Sequence, residues 1–220
     1  FLPYIKNIYN AHRELMEKRN EMRGLPGGLI RIGTLASISA NWLPPLMMEF
    51  RKKYPSVHFD LKQGEYTNIN GWIREGSVDF GFLNPETAEG LTTTLLKRDE
   101  MLAVLPRGHA LAEKSLVTLD ELAREPYILL DEGEFSEPLE FFHENSLEPN
   151  TQYIVYDDYT IMSMVEQGLG VSVLSALVLN RHGRDIEIRR IEPGLVRSIS
   201  VAYKNKGVLP IAARYFIDFI

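Results

Sequence analysis

The chain has 220 residues, of which 45% are hydrophobic and 25% charged, and its formal net charge is −6. This composition is typical of a globular protein with one large or two ordinary domains, and the negative charge argues against nucleic-acid binding by this stretch alone. The lack of cysteine excludes disulfides, thiol catalysis and cysteine-ligated zinc. With no apolar run of membrane-spanning length and no secretory signal, we expect a cytoplasmic protein without membrane contact, and the start at Phe1 suggests a piece of a longer chain.

Residues 1–23 carry a pattern that differs from the rest of the chain. Apolar side chains recur at helical spacing with charged residues between them, which predicts an exposed helix with a single apolar stripe. Gly24 and the Pro26-Gly27-Gly28 run end this helix. The apolar side chains of this stripe must be buried against another surface. We favour a partner helix, although packing on the domain that follows is the simpler alternative.

From Leu29 onward, strand patterns alternate with helix patterns, which predicts βαβ units and a mainly parallel sheet in an α/β fold. Strands are predicted over 29–33, 57–62, 78–83, 95–97, 101–106, 127–130, 153–156, 171–174, 186–191 and 199–203. Helices are predicted over 40–54, 67–75, 118–123, 135–145, 160–167, 175–179 and 211–220. Two similar βαβ sets in one chain indicate two lobes with a ligand cleft between them.

The residue patterns of common catalytic and metal sites are not evident in the sequence. No serine lies in a GxSxG elbow, and the five histidines are scattered without metal-ligand spacing. The glycines do not form a nucleotide-binding loop. We therefore expect neither enzyme activity nor a metal or cofactor.

Acidic side chains follow two of the predicted strands, and they are Asp131, Glu132, Glu134, Glu137, Asp157 and Asp158. If they face the cleft, they would suit acid–base catalysis, as in a hydrolase or lyase, or a ligand that carries an amino group or a bound cation. The simpler explanation is helix capping, with Asp158 before Thr160 as the N-cap.

Polar side chains also lie at the strand-to-helix junctions of the first half. Ser37 and Ser39 follow the first strand, Tyr66 and Thr67 the second, and Asn84 the third. Ligands of open α/β sheets collect at the carboxyl ends of strands, where helix N-termini offer free N–H groups. These residues are therefore candidate ligand contacts, with helix capping as the alternative for the two serines.

An ordered set of short motifs extends over nearly all of residues 27–220. In the first half the landmarks are Gly33, Leu43-Pro44, Phe50, Tyr54-Pro55, Gly64, Thr67 and Glu75-Gly76-Ser77-Val78-Asp79. In the second half they are the segments LPRGHAL at 105–111 and EQGLGV at 166–171, followed by Leu174-Ser175. In this order and at this spacing they resemble the effector-binding domain of LysR-type transcriptional regulators.

The resemblance implies a fold like that of type II periplasmic binding proteins, with two βαβ lobes and a small effector in the central cleft. It implies a linker helix and hinge over 1–26, a first lobe over 27–103 with 200–220, and a second lobe over 104–199. It further implies a bacterial dimer or tetramer that binds DNA through an N-terminal winged helix-turn-helix domain outside this chain. A solute-binding protein of a transport system is the alternative, since the fold is shared.

By position, the resemblance assigns effector contacts to both lobes. In the first lobe they are Ser37, Ile38, Ser39, Tyr66, Thr67, Phe82, Leu83 and Asn84, with Ala103 near the crossover. In the second lobe they are Gly133, Glu134, Phe135, Ser136, Asp158, Tyr159 and Thr160. Regulators of this kind often bind small carboxylates, so the acidic stretch 131–134 argues against a simple anionic effector.

Overall fold

The computed structural model describes residues 1, 4–5, 8–9, 11–12, 15–16, 19, 28–180 and 183–220. From residue 28 onward its strands are β1 (Gly28–Thr34), β2 (Val57–Gln63), β3 (Phe80–Leu83), β4 (Thr92–Pro106), β5 (Leu116–Thr118), β6 (Tyr127–Leu130), β7 (Thr151–Val155), β8 (Ser172–Ser175), β9 (Ile186–Glu192) and β10 (Leu195–Tyr203). Its helices over the same ranges are α1 (Ala36–Asn41), α2 (Leu43–Lys53), α3 (Tyr66–Glu75), α4 (Leu119–Arg124), α5 (Glu137–Glu144), α6 (Asp158–Glu166), α7 (Ala176–Leu179) and α8 (Ile211–Phe219). This content confirms the predicted α/β class.

The chain forms two compact units, which we call unit 1 and unit 2. Unit 1 comprises Phe1–Lys97 and Ser198–Ile220, and unit 2 comprises Arg98–Arg197. Unit 1 is therefore built from both ends of the chain, whereas unit 2 is one continuous stretch. The strands β4 and β10 each contribute residues to both units.

The sheet of unit 1 places the ends of three strands at one edge. β1 lies between β2 and β3 and is parallel to both, with Thr34 opposite Gln63 and Gly33 opposite Gly81. β10 adds on the other side of β3 in the antiparallel direction, with Ser200 opposite Leu83. The carboxyl ends of β1, β2 and β3 therefore lie side by side.

Helix α3 is held against this sheet by two glycines. A Cβ atom at Gly81 would lie 2.5 Å from Cγ2 of Ile69, and one at Gly33 would lie 2.9 Å from the same atom. Because real side chains do not approach so closely, both positions need glycine for Ile69 to seat on the sheet. The other face of the sheet packs on aromatic rings. The ring centroid of Phe216 in α8 lies 5.0 Å from that of Phe50.

Unit 2 combines antiparallel and parallel pairing. β4 is antiparallel to β8 and β9, and β5 is parallel to β9. β6 and β7 form a separate parallel pair. The prediction of a mainly parallel sheet is therefore wrong for the antiparallel pairs of β4 and β10, because long-range pairing leaves no local signal in the sequence.

Helix and strand bounds depart from the sequence prediction at three places. The single helix predicted over 40–54 is two helices that meet at Trp42, because prolines occupy the first turn of α2 and cannot continue α1. The two strands predicted over 95–97 and 101–106 are one strand, β4. The third strand begins at Phe80 rather than residue 78, since Asp79 turns back to pair with Arg31.

The leading helix is described only in part. Residues 4–5, 8–9, 11–12, 15–16 and 19 are helical, and Ile5, Ile8 and Leu15 are exposed. Met22, Gly24, Pro26 and Gly27, on which the predicted end of the helix and the hinge depend, lie outside the described residues. Within the part of the chain that the structure describes, no helix is long and apolar enough to cross a membrane.

Candidate functional site

The strand ends of unit 1 are linked by hydrogen bonds between polar groups. The Gln63 side chain donates to Ser39 Oγ at 2.7 Å, and that hydroxyl donates to the carbonyl of Ala36 at 3.0 Å. The backbone N–H of Gly64 donates to the carbonyl of Thr34 at 3.1 Å. We call residues 34–41, 63–67 and 82–87, with Ser200, the unit 1 edge.

Neither serine of α1 caps a helix. The N-cap residue is Leu35, which provides no side-chain hydrogen bond, and both Ser37 and Ser39 lie buried within the helix. The capping explanation for them is therefore wrong. Instead, Ser39 joins α1 to the end of β2 through Gln63.

The other predicted residues of the unit 1 edge divide into buried and exposed ones. Ile38, Tyr66, Phe82 and Leu83 are buried with the core, whereas Thr67 is exposed. Asn84 is buried, and its side chain accepts a hydrogen bond from the N–H of Glu86 at 3.1 Å, which caps the short 3-10 turn Pro85–Thr87. The edge thus combines buried apolar side chains with polar ones that are mostly buried as well.

Ser200 is a polar residue of this edge that sequence reasoning misses. It pairs with Leu83, the last residue of β3, and it is fully buried. Within the described ranges its Oγ has no hydrogen-bond partner. A serine within a strand gives no local signal of a site, so only the sheet register reveals it.

We expect Ser200→Ala to raise the free energy of unfolding by about 1 kcal/mol, because it removes a buried hydroxyl that has no hydrogen-bond partner among the described residues. The matched control is Ser172→Ala in β8, whose buried hydroxyl donates to the carbonyl of Ile128 at 2.7 Å. The free energy of unfolding of Ser172→Ala should fall by about 1 kcal/mol, because this variant loses that hydrogen bond. Urea denaturation of both variants measures the difference, and an equal loss in the two would contradict the assignment.

In unit 2 the residues after β6 form a turn and a helix start. Asp131 Oδ1 accepts a hydrogen bond from the N–H of Gly133 at 2.9 Å, and Gly133 has a left-handed φ of 91°. Ser136 is the N-cap of α5 and accepts from the N–H of Leu139 at 3.5 Å. Of the acids, Asp131 and Glu132 are half-buried, Glu134 is exposed and Glu137 is buried. Phe135 is half-buried.

The residues after β7 correct one prediction. The N-cap of α6 is Asp157, which accepts hydrogen bonds from the N–H of Thr160 at 2.7 Å and from its hydroxyl at 2.8 Å. Asp158 is therefore not the cap, because it already lies inside the helix. Tyr159 exposes 39% of its surface at this end of α6.

Asp158 is buried, and burial raises the pKa of its carboxyl to about 6. The positive charge of Arg197 opposes this rise, and the neighbouring Asp157 adds to it. The ionised carboxyl is thus destabilised more by its removal from water than it is stabilised by the nearby positive charge.

A buried polar cluster lies near Asp158 in unit 2. Arg197 Nη2 donates to Asp99 Oδ2 at 2.8 Å and to Ser175 Oγ at 3.0 Å. Asp99 Oδ1 accepts from the N–H of Leu177 at 3.2 Å, at the start of α7. We call residues 131–137 and 157–160, together with this cluster, the unit 2 edge. Ala103 is buried in β4, where it pairs with Val173 and Arg189.

The two edges carry the polar groups of a candidate binding site. Asp157 is occupied as a helix cap, and the described residues contain no group of three or more side chains placed to hold a metal ion. Hydroxyl, amide and carboxylate groups on an apolar base are typical of sites for small polar molecules.

Comparison with known proteins identifies relatives over the whole of this architecture. The family described as LysR substrate binding domain matches residues 23–220. The uncharacterized HTH-type transcriptional regulator YvbU of Bacillus subtilis is 29% identical over 219 residues, which cover 99% of this chain and 75% of YvbU. The matches to transcriptional regulators lend no support to the transport alternative or to the hydrolase alternative.

Solved structures show the same fold. HinK, a LysR family transcriptional regulator from Pseudomonas aeruginosa, superposes with a TM-score of 0.78 at 27% identity, covering 97% of this chain and 77% of HinK. The effector binding domain of QuiR, in complex with shikimate, gives a TM-score of 0.78 at 22% identity, covering 88% of this chain and 95% of that domain. Such domains have the two-lobe fold of periplasmic binding proteins. The chain belongs to the LysR family of transcriptional regulators, as an effector-binding domain of that family and not an enzyme.

Proposed function

We propose that this domain binds a small-molecule effector through the unit 1 and unit 2 edges and thereby controls DNA binding by the full-length regulator. The observation that carries the proposal is the unit 1 edge, where three parallel strands end side by side and polar residues follow each of them. Effector binding would favour one arrangement of the regulator over another, which is how a ligand changes the affinity of a distant site.

The proposed contacts are those assigned by position, with Ser200 added. Ser37, Ser39, Thr67, Asn84 and Ser200 supply polar groups in unit 1, and Gly133, Glu134, Ser136, Asp158 and Thr160 do so in unit 2. Ile38, Tyr66, Phe82, Leu83, Ala103, Phe135 and Tyr159 supply apolar and aromatic walls. The QuiR domain, which shares the fold, was solved in complex with shikimate, a small polar molecule.

We further propose that the partners are a second copy of the chain and DNA. The exposed Ile5, Ile8 and Leu15 of the leading helix are suited to pairing with a second helix. This chain covers 75% of the HTH-type regulator YvbU, and we assign DNA contact to a helix-turn-helix domain of the full-length regulator. The acidic charge of −6 agrees with DNA contact lying elsewhere.

A thermal-shift screen of polar metabolites tests the proposal, because a ligand at 100 times its Kd stabilises the folded state by about 2.7 kcal/mol. We expect at least one compound to raise the midpoint, and titration calorimetry then gives its affinity. Ser37→Ala should weaken binding about tenfold by removing one hydrogen bond. Ser56→Ala, an exposed serine before the opposite end of β2, is the control and should bind normally. A screen without any shift would overturn the proposal.

A further inference from the structure

Asp158 differs from the other buried aspartates of the described ranges. Asp79 is paired with the buried Arg31, and Asp99 with the buried Arg197. Asp158 has only 9% of its surface exposed, yet across the described residues no other residue donates a hydrogen bond to its carboxylate or forms an ion pair with it. Among the described residues, the one donor to this carboxylate is its own backbone N–H. An ionised carboxylate has about four acceptor positions, so most of its bonding capacity is unused.

The described residues around Asp158 do not balance its charge. Arg197 lies close enough to influence it electrostatically, but the guanidinium already bonds to Asp99 and Ser175. Ionised Asp99 and Asp158 together with one arginine leave this buried group with a net charge of about −1. The adjacent Asp157 adds to the negative potential. A buried charge of this kind requires a proton or a cation.

The chemistry of the site selects among the possible cations. A divalent metal needs several oxygen or nitrogen ligands, and the described residues hold no cluster of three that would supply them. An ammonium group carries one positive charge and three N–H donors, which match one uncompensated carboxylate with free acceptor positions. A purely anionic ligand would be repelled by Asp158 and by the acids of 131–137.

We propose that the effector of this domain carries a positively charged amino group and that Asp158 is the residue that binds it. This inference rests on the proposed function, because it names the chemical class of the effector at the same site. Asp158 accepts hydrogen bonds from the ammonium group through its free acceptor positions.

The experiment uses probes in matched pairs that differ in one group. Each primary amine, such as alanine, serine, glutamate or a short diamine, is tested beside the hydroxyl compound of the same carbon skeleton, by thermal shift and calorimetry at pH 7.5. We expect at least one amine to bind, and its hydroxyl partner to bind at least tenfold more weakly. Asp158→Asn should weaken amine binding about 30-fold or more, as expected for loss of one member of a buried charge pair.

The control variant is Asp185→Asn, which removes an exposed carboxylate of unit 2 that lies outside the unit 2 edge. It should bind the amine within a few-fold of the unchanged chain. If a hydroxyl or anionic probe binds and the amines do not, or if Asp158→Asn binds an amine as tightly as the unchanged chain, the inference is overturned while the proposed function stands. If no probe of any class binds, the proposed function falls as well.

Discussion

Asp158→Asn should make the protein more stable at pH 7.5, by as much as about 3 kcal/mol. The carboxyl pKa is about 6 in the folded protein against an ordinary value of 3.8, and each unit of difference corresponds to about 1.4 kcal/mol. Asparagine has nearly the same shape and carries no charge to bury. Most substitutions destabilise a protein, so a gain of this size would be distinctive.

The pH dependence has a defined sign. Because the folded-state pKa is raised, the folded protein binds this proton more tightly than the unfolded chain. The resulting stabilisation is complete below the ordinary pKa of 3.8 and is lost as the pH rises through about 6. The gain in stability of Asp158→Asn over the unchanged chain should therefore be small near pH 4 and largest above pH 7. Arg197 and Asp157 are the charged groups that influence this carboxyl.

Hydrogen exchange of the amides of α6 at pH 5.5 and 7.5, corrected for the intrinsic exchange rate, measures this effect within unit 2. The control is Asp157→Ala, which removes the cap of α6 and should cost about 1 kcal/mol. The two neighbouring aspartates are thus expected to have effects of opposite sign at pH 7.5. A loss of stability in Asp158→Asn at pH 7.5 would refute the assignment.

Asp79→Ala should destabilise unit 1 by about 3–5 kcal/mol, because it leaves the buried guanidinium of Arg31 without its counter-charge. The carboxylate of Asp79 also accepts from the N–H of Arg31 at 2.8 Å, and the Asp79 N–H donates to the Arg31 carbonyl at 2.9 Å. Asp79 directly precedes β3, and its side chain thus ties the start of that strand to Arg31 in the middle of β1.

Tryptophan fluorescence during urea denaturation reports this loss selectively, since both tryptophans, Trp42 and Trp72, lie in unit 1. The exposed ion pair Arg107–Asp185 offers the control, and Asp185→Ala should change stability by less than about 1 kcal/mol. The double variant Arg31→Met with Asp79→Leu should recover much of the loss, because apolar side chains of similar volume replace both charges. Equal effects of Asp79→Ala and Asp185→Ala would contradict the prediction.

Local patterns in the sequence predict those elements whose signals are themselves local. Thr118 and Glu121 form the capping box that starts α4, and the apolar run Tyr127–Leu130 is β6 within its predicted bounds. The junctions at Ser37, Thr67 and Asn84 likewise follow β1, β2 and β3, since parallel strands must each deliver the chain to a crossover.

The parts of the fold and of the candidate site that the sequence does not predict depend on contacts between residues far apart in the chain. Arg197 meets Asp99 across 98 positions, and no periodicity connects them. The polar stretch near Asp99 therefore suggests a break in a strand that in fact continues as β4. The choice between Asp157 and Asp158 as helix cap is likewise set by backbone geometry, because the two residues are chemically identical.

The discontinuity of unit 1 has a consequence for synthesis on the ribosome. Unit 2 is complete once Arg197 has emerged, whereas unit 1 must wait for residues 198–220, which supply its share of β10 and all of α8. At roughly 5–20 residues per second, those residues take about 1–5 s to translate. During that interval Phe50, Phe59 and Phe80 lack Phe216, the ring that they all contact in the folded protein. The nascent chain thus exposes an aromatic surface to chaperones while its later-made half is already able to fold.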